Sequence, residues 1–233
     1  MSTEMFTGIV DIHHDDGSYD LDEVVAGGVT ALWHKATEGV TFHDPKFVRA
    51  MDGARAAGLL RGAYHFARGT SDAVAQADEF LATVQKITAP EEVLLALDLE
   101  GSLDDPKTMT TSNAAAFVLR VREVTGRWPV LYAGLSKLRA RMRDADESTR
   151  DALGHCPLWL AAYNCDPASL TPPSPWSAWS LQQYTNGAEG PKDEACYPRE
   201  TKGFHRLAQD RSAFRGTPDE LRVWWTSAGR ESR

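Results

Sequence analysis

The chain has 233 residues, which is long enough for one α/β domain that buries a sizeable core without covalent staples. Its formal net charge of −8 excludes the basic footprint expected of a nucleic-acid-binding protein or of a protein bound to an anionic membrane surface. With 42% hydrophobic and 25% charged residues, the composition is that of a globular protein and not of a disordered chain.

Neither a secretory signal nor a membrane span is visible in the sequence. The first residues lack a basic cluster with an apolar core, and no apolar run reaches the roughly 20 residues of a transmembrane helix. We therefore expect a soluble chain synthesised in the cytoplasm. Cys156, Cys165 and Cys196 show no metal-ligand spacing, so we expect free thiols, with a Cys156–Cys165 disulfide as the alternative in an oxidising compartment.

Short apolar or β-branched segments alternate along the chain with amphipathic segments, which is the pattern of repeated βα units. The predicted strands are, in chain order, residues 8–12, 29–35, 59–66, 93–100, 129–133, 158–162, 179–184 and 208–214. The predicted helices are residues 21–26, 45–57, 71–85, 112–124 and 135–153. Eight parallel strands with right-handed crossovers predict a closed, flattened β/α barrel of the TIM-like type, irregular in its second half, where helices are fewer. A doubly wound open sheet is the alternative fold.

The fourth predicted strand, residues 93–100, is apolar until it ends in Asp98 and Glu100. A continuous apolar run is typical of a strand buried on both faces. Because strand side chains alternate, the two carboxyl groups leave the same face, about 7 Å apart along the backbone. Two acids at the carboxyl end of a barrel strand are suited to the cleavage of a glycosidic bond. The alternative is a solvated loop start, or acids paired with arginine or lysine.

Other predicted strands also end in polar or aromatic residues, which a barrel gathers at one mouth. They are Asp11 on the first strand, Lys35 and Glu38 on the second, Tyr64 and His65 on the third, Tyr132 on the fifth, Trp159 and Tyr163 on the sixth, Gln183 and Tyr184 on the seventh, and Asp210 on the last. Carboxylates that bond hydroxyl groups and rings that stack on pyranose faces predict a sugar cleft. The structural alternatives are tryptophans packed in the core, a Lys35–Glu38 ion pair, and a hydrogen-bonded core histidine at His65.

The run His13-His14-Asp15-Asp16 has the composition of a metal site. Four adjacent ligands on a strand and a turn cannot all face one ion, so we expect no metal there. The sequence also has no phosphate-binding loop, dinucleotide-binding fingerprint, zinc-protease helix or nucleophile elbow. We therefore expect no cofactor, and no phosphoryl, hydride or serine-acyl chemistry.

A set of short motifs runs in order along nearly the whole chain. They include Val10-Asp11-Ile12, Lys35-Ala36-Thr37-Glu38-Gly39, Gly62-Ala63-Tyr64-His65-Phe66, Leu97-Asp98-Leu99-Glu100, Pro129-Val130-Leu131-Tyr132, Leu158-Trp159-Leu160-Ala161 and Gln183-Tyr184-Thr185. In this order the set resembles the N-acetylmuramidases (lysozymes) of glycoside hydrolase family 25. The resemblance covers about residues 8–216, and we expect a single catalytic domain over residues 1–233 with a short C-terminal tail at 217–233.

The resemblance implies a hydrolase of the β-1,4 bond between N-acetylmuramic acid and N-acetylglucosamine in bacterial peptidoglycan. By position, Glu100 matches the family's proton donor and Asp98 its partner acid, while Asp11 and Asp210 match the acids of the first and last strands. The residues that fall where the family has cleft aromatics are Tyr64, Tyr132 and Tyr184. The first strand departs from the family pattern by placing an imidazole, His13, where a small hydroxyl residue is usual.

The mechanistic hypothesis assigns different roles to the two central acids. Burial and the negative charge of Asp98 keep Glu100 protonated, so that Glu100 protonates the leaving sugar oxygen as a general acid. Asp98 stays ionised and stabilises positive charge at the anomeric carbon, either directly or by orienting the N-acetyl group of the substrate as an internal nucleophile. Retention of configuration is the expected outcome.

Two other functions fit the same residues: a peptidoglycan-binding module that has lost catalysis, and a chitinase-like N-acetylglucosaminidase. A muramidase acts on the cell wall in the periplasm or outside the cell, so a chain without a signal sequence reaches it as a phage lysin or as an exported effector. An immunity or export partner is a hypothesis for the second case. We expect peptidoglycan strands as the partner of a monomer, with no nucleic acid and no membrane insertion.

Overall fold

A closed barrel of eight strands forms the centre of the computed structural model, which describes residues 4–163, 165–205 and 208–230. The eight strands of the barrel are β1 (Met5–Ile12), β2 (Ala31–Glu38), β4 (Leu60–Phe66), β5 (Leu94–Asp98), β6 (Val130–Gly134), β7 (Leu158–Ala161), β8 (Leu181–Asn186) and β9 (Asp210–Arg215). A further strand, β3 (Phe42–His43), lies outside the ring. The order of the eight strands is β1-β9-β8-β7-β6-β5-β4-β2, and β1 pairs with β2 to close the ring. The predicted barrel is confirmed, and the open sheet is excluded.

Two strands differ from the sequence prediction. The last strand, β9, runs antiparallel to both β1 and β8, so the expectation of an all-parallel barrel is wrong there. The described part of the segment between β8 and β9 contains no helix, and an antiparallel neighbour needs no helical crossover to return. The two-residue strand β3 was not predicted; it pairs with the end of β2 outside the ring.

Seven α-helices lie in the described part of the chain. They are α1 (Leu21–Ala26), α2 (Phe47–Ala56), α3 (Ala73–Val84), α4 (Thr111–Thr125), α5 (Leu135–Asp144), α6 (Glu147–Gly154) and α7 (Pro218–Ser227). The predicted helix at 135–153 is divided into α5 and α6, because Ala145 is extended and the Asp146 carboxylate caps α6 by accepting from the Thr149 amide at 2.7 Å. None of the described helices combines the length and the apolarity that a bilayer crossing demands.

Helix α7 lies where a short tail was expected. Thr217 and Glu220 form a capping box at its start, which satisfies two backbone donors reciprocally. Its Trp225 is 1% exposed and donates from Nε1 to the Arg61 carbonyl at 3.0 Å. The C-terminal segment therefore belongs to the packed core of the barrel.

The barrel interior is filled by a column of aromatic rings. Trp225 packs on Trp33 with ring centroids 4.9 Å apart, and Trp33 stacks on Trp159 at 5.0 Å. Tyr132 meets Trp159 edge to face at 4.7 Å. A side chain at Gly62 would overlap the Trp33 ring, so the glycine on β4 makes room for this column. The rings support the floor of the cavity at the other end of the barrel.

Candidate active site

A cavity of about 180 Å³ lies at the carboxyl ends of the parallel strands. The residues that line it are Asp11, His13, Lys35, Tyr64, Phe66, Asp98, Glu100, Tyr132, Trp159, Gln183 and Asp210. The four acids predicted from three different strands therefore share one cavity. The carboxyl ends of the parallel strands meet at this face and place Asp11, Asp98 and Glu100 there, while Asp210 reaches the same face from the amino end of the antiparallel strand β9.

The acids of the first and last strands are direct neighbours. Asp11 on β1 is paired in register with Asp210 on β9. Burial, followed by the negative charge of Asp210, raises the pKa of Asp11 well above its usual range, and a hydrogen bond from Gln183 opposes this shift. Because β9 runs antiparallel to β1, its first residue, Asp210, lies beside Asp11.

The carboxamide of Gln183 connects the acids to the tyrosines. Its Oε1 accepts hydrogen bonds from the Tyr132 and Tyr163 hydroxyl groups, both at 2.7 Å. Its Nε2 donates to the two carboxylate oxygens of Asp11 at 3.0 and 3.1 Å, and to Asp210 at 3.4 Å. These partners determine the orientation of the amide, because hydroxyl donors require its oxygen and carboxylates require its nitrogen.

The two central acids have different surroundings. Asp98, the last residue of β5, is 8% exposed, and its Oδ1 has no hydrogen-bond partner among the described residues. Burial, followed by the negative charge of Glu100, raises the pKa of Asp98 well above its usual range, while Lys35 acts in the opposite direction. The buried carboxyl group of the pair is therefore Asp98.

Glu100 lines the cavity and is exposed, so the expectation that it is buried is wrong. The physical reason is the length of the strand, since β5 ends at Asp98 and Gly101 turns the chain at φ +92° directly after Glu100. A loop residue at this point faces solvent and the open side of the cavity. Glu100 is accordingly the acid that an entering substrate reaches first.

Lys35 and Glu38 form the ion pair that was one of the two interpretations of these residues. Lys35 Nζ lies 3.1 Å from Glu38 Oε2, and Arg68 Nε donates to Glu38 Oε1 at 2.9 Å. Although partial burial opposes it, the hydrogen bonds from Arg68 and Lys35 lower the pKa of Glu38. Lys35 lines the cavity, whereas Glu38 holds Lys35 from outside it.

Two predicted residues point away from the cavity. Tyr184 follows Gln183 on β8, and alternation directs it outward, where its hydroxyl donates to the Pro198 carbonyl at 2.7 Å. His65 is fully buried between Thr37 and Gln76, at 2.7 and 3.0 Å. Burial lowers its pKa to about 4 and keeps it neutral, so the interpretation as a core histidine is confirmed.

Phe66 and His13 line the cavity but were not predicted as site residues. Phe66 stands two residues after Tyr64 on β4, so the two-residue period of a strand could have identified it. Its ring also lies 4.7 Å from Lys35 Nζ. His13 directly follows β1, and its position two residues beyond Asp11 carries the same signal. The free thiols Cys156, Cys165 and Cys196 lie outside this set.

Comparisons with known proteins agree with this architecture. The model of the family described as glycosyl hydrolases family 25 matches residues 10–192. An N,O-diacetylmuramidase from Arthroderma benhamiae is 32% identical over 177 residues, which cover 71% of each chain. An autolytic lysozyme from Clostridium acetobutylicum is 26% identical over 185 residues, or 79% of this chain and 53% of that protein. The chain thus spans about half the length of that lysozyme.

A solved structure shares the whole fold. The crystal structure of a bacterial lysozyme from Streptomyces coelicolor matches with a TM-score of 0.76 at 25% identity, covering 97% of this chain and 99% of that one. The chain belongs to glycosyl hydrolases family 25.

Proposed function

We propose that this chain is an N-acetylmuramidase that hydrolyses the β-1,4 bond between N-acetylmuramic acid and N-acetylglucosamine in peptidoglycan. The observation that carries the proposal is the shared cavity of Asp98 and Glu100 at the carboxyl end of β5. Two neighbouring carboxyl groups supply a proton donor and a second acid with a different task, and the family resemblance assigns the proton donor to Glu100. A module that only bound glycan would need no proton donor beside the bound sugar.

Glu100 is the general acid in this proposal. Its exposed position lets it reach the glycosidic oxygen of a glycan strand that lies across the mouth of the barrel. Its proton moves to the leaving sugar as the bond breaks, and the carboxylate then accepts a proton from the attacking water. Retention of configuration follows because each of the two half-reactions inverts the anomeric carbon.

Asp98 acts on the anomeric side of the bond. Its partnerless Oδ1 lies in a buried wall, where an acceptor without a donor is costly, and the N–H of a 2-acetamido group can satisfy it. This contact favours the substrate-assisted route over direct charge stabilisation, because an oriented acetamido oxygen attacks the anomeric carbon from the face opposite the leaving group. The ring so formed is opened by water, which gives the second inversion.

The remaining predicted residues hold the sugar and the water. Asp11 and Asp210 bind hydroxyl groups or the attacking water at the first and last strands. The residues proposed to contact the glycan are Lys35, Tyr64, Tyr132, Trp159, Tyr163 and Gln183. Glu38 orients Lys35 through their ion pair, and Tyr184 has no part in the proposed cleft.

Mass analysis of digested cell walls tests the proposal. Purified peptidoglycan is incubated with the protein, the new reducing ends are reduced with borohydride, and the fragments are measured. A muramidase leaves N-acetylmuramic acid as the reduced terminal sugar. Reduced N-acetylglucosamine ends would identify an N-acetylglucosaminidase instead, and binding to walls without any new reducing end would identify a module without catalysis. Chitin oligomers in a parallel digest separate the chitinase-like alternative.

A further inference from the structure

The turn after β1 gathers three side chains that can bind a metal ion. One ligand atom each from His13, His14 and Asp15 lie within 4.8 Å of one another. Asp15 Oδ2 is 3.3 Å from His14 Nε2 and 3.9 Å from His13 Nδ1. Ligand atoms bound at about 2.1 Å in a tetrahedral zinc site are themselves about 3.4 Å apart. The spacing is therefore close to that of a bound site.

The short helix at His14–Asp16 produces this convergence. Its tight turn brings adjacent residues to one side, which an extended strand would not do. Asp16 is not a member of the group; its Oδ2 accepts a hydrogen bond from the His13 backbone amide at 2.7 Å and lies 3.7 Å from His13 Nε2. The argument that four adjacent ligands cannot face one ion thus holds for all four residues together, but three of them do converge.

A buried carboxylate holds one of these imidazoles in a binding orientation. The side chain of Asp44 is 0% exposed, and its Oδ2 lies 3.0 Å from His14 Nδ1 and accepts from the His14 backbone amide at 2.9 Å. A carboxylate at Nδ1 requires the proton on that nitrogen, which leaves the lone pair of Nε2 directed toward Asp15. Metal-ligating histidines characteristically donate their other ring N–H to such a carboxylate.

We propose that His13, His14 and Asp15 bind one divalent transition-metal ion of the zinc class at the lip of the catalytic cavity. Two imidazoles with one carboxylate favour Zn²⁺, Ni²⁺ or Cu²⁺ over Mg²⁺ and Ca²⁺, which prefer oxygen ligands. Binding displaces one weak contact, the 3.3 Å hydrogen bond from the Asp15 amide to His13 Nδ1. Since His13 lines the cavity, the bound ion lies beside the proposed active site. The proposed mechanism assigns no catalytic role to this ion.

Equilibrium dialysis of the full chain against Zn²⁺, with bound metal measured by atomic emission, tests this site. All proteins carry Cys165→Ser and Cys196→Ser, which removes the two accessible thiols as zinc ligands. We expect one Zn²⁺ per chain, and an affinity at least tenfold lower for His14→Ala. We expect Asp44→Asn to weaken binding by about tenfold although it removes no ligand, as a partner that orients the ring does.

His155→Ala is the matched control, because His155 is an exposed histidine whose Nε2 lies 3.9 Å from Asp151 on another face. Its zinc affinity should equal that of the parent. The proposal is overturned if the parent binds no stoichiometric zinc, if His14→Ala binds as tightly as the parent, or if His155→Ala loses as much affinity as His14→Ala. Circular dichroism confirms that each variant is folded. No substrate is present, so the result is independent of the proposed muramidase activity.

Discussion

Replacement of Trp225 by alanine should remove the base of the aromatic column and destabilise the whole barrel. Trp225 is 1% exposed, packs on Trp33 at 4.9 Å and donates to the Arg61 carbonyl at 3.0 Å. Truncation of a buried tryptophan costs about 3–5 kcal/mol, and the lost hydrogen bond contributes about 1 kcal/mol of that total. We therefore expect the free energy of unfolding to fall by about 4 kcal/mol.

Urea denaturation followed by circular dichroism measures this loss. With an m-value of about 3 kcal/mol/M, the midpoint should fall by about 1.3 M. Val223→Ala is the control on the same helix, because Val223 is 69% exposed and its truncation should change stability by less than about 0.5 kcal/mol. A loss below about 1 kcal/mol for Trp225→Ala would show that α7 is not part of the core and would refute the reasoning.

Three further substitutions test the interior and the site. Burial and the charge of Glu100 raise the pKa of Asp98, so the folded protein favours the protonated form of this side chain. The stability that protonated Asp98 contributes is therefore complete below about pH 4 and is lost as pH rises through its folded-state pKa. Asp98→Asn should therefore flatten the decline of unfolding free energy above about pH 4 while abolishing turnover; an unchanged pH profile contradicts this. Gln183→Leu removes the acceptor that the buried Tyr132 hydroxyl shares with the half-buried Tyr163 hydroxyl, and should cost about 1–3 kcal/mol, with a fall in turnover; full stability in urea argues against the network. Gly62→Ala forces a methyl group against Trp33 and should cost about 1–3 kcal/mol, which a thermal melt equal to that of the parent would disprove.

Periodicity and strand-end chemistry predicted much of this molecule. The apolar run before Asp98, the alternation on β4 and the stripe on α3 are local patterns, and each folds as its period requires. The closed ring followed from the number of βα units. The convergence of Asp11, Asp98 and Glu100 followed from the geometry of parallel strands, which place their carboxyl ends at one face, whereas Asp210 joins them because β9 runs antiparallel.

The features that the sequence did not predict depend on contacts between distant segments. The direction of β9 depends on how a long segment, whose described part contains no helix, returns to β1, and no local pattern records that path. The importance of helix α7 comes from the packing of Trp225 on Trp33, two residues that lie far apart in the sequence. The exposure of Glu100 depends on where β5 ends, and strand ends are the least certain part of any assignment from sequence.

The division of labour between two acids on one strand is the central claim, and Glu100→Gln tests it most directly. The release of reducing ends from purified cell walls is measured for the parent, for Glu100→Gln and for Glu91→Gln, an exposed glutamate that precedes the other end of β5. We predict that Glu100→Gln lowers turnover by about 10²–10⁴-fold, the contribution of a general acid, with an unchanged melting temperature, and that Glu91→Gln has no effect. Turnover of Glu100→Gln within a few-fold of the parent would contradict the account.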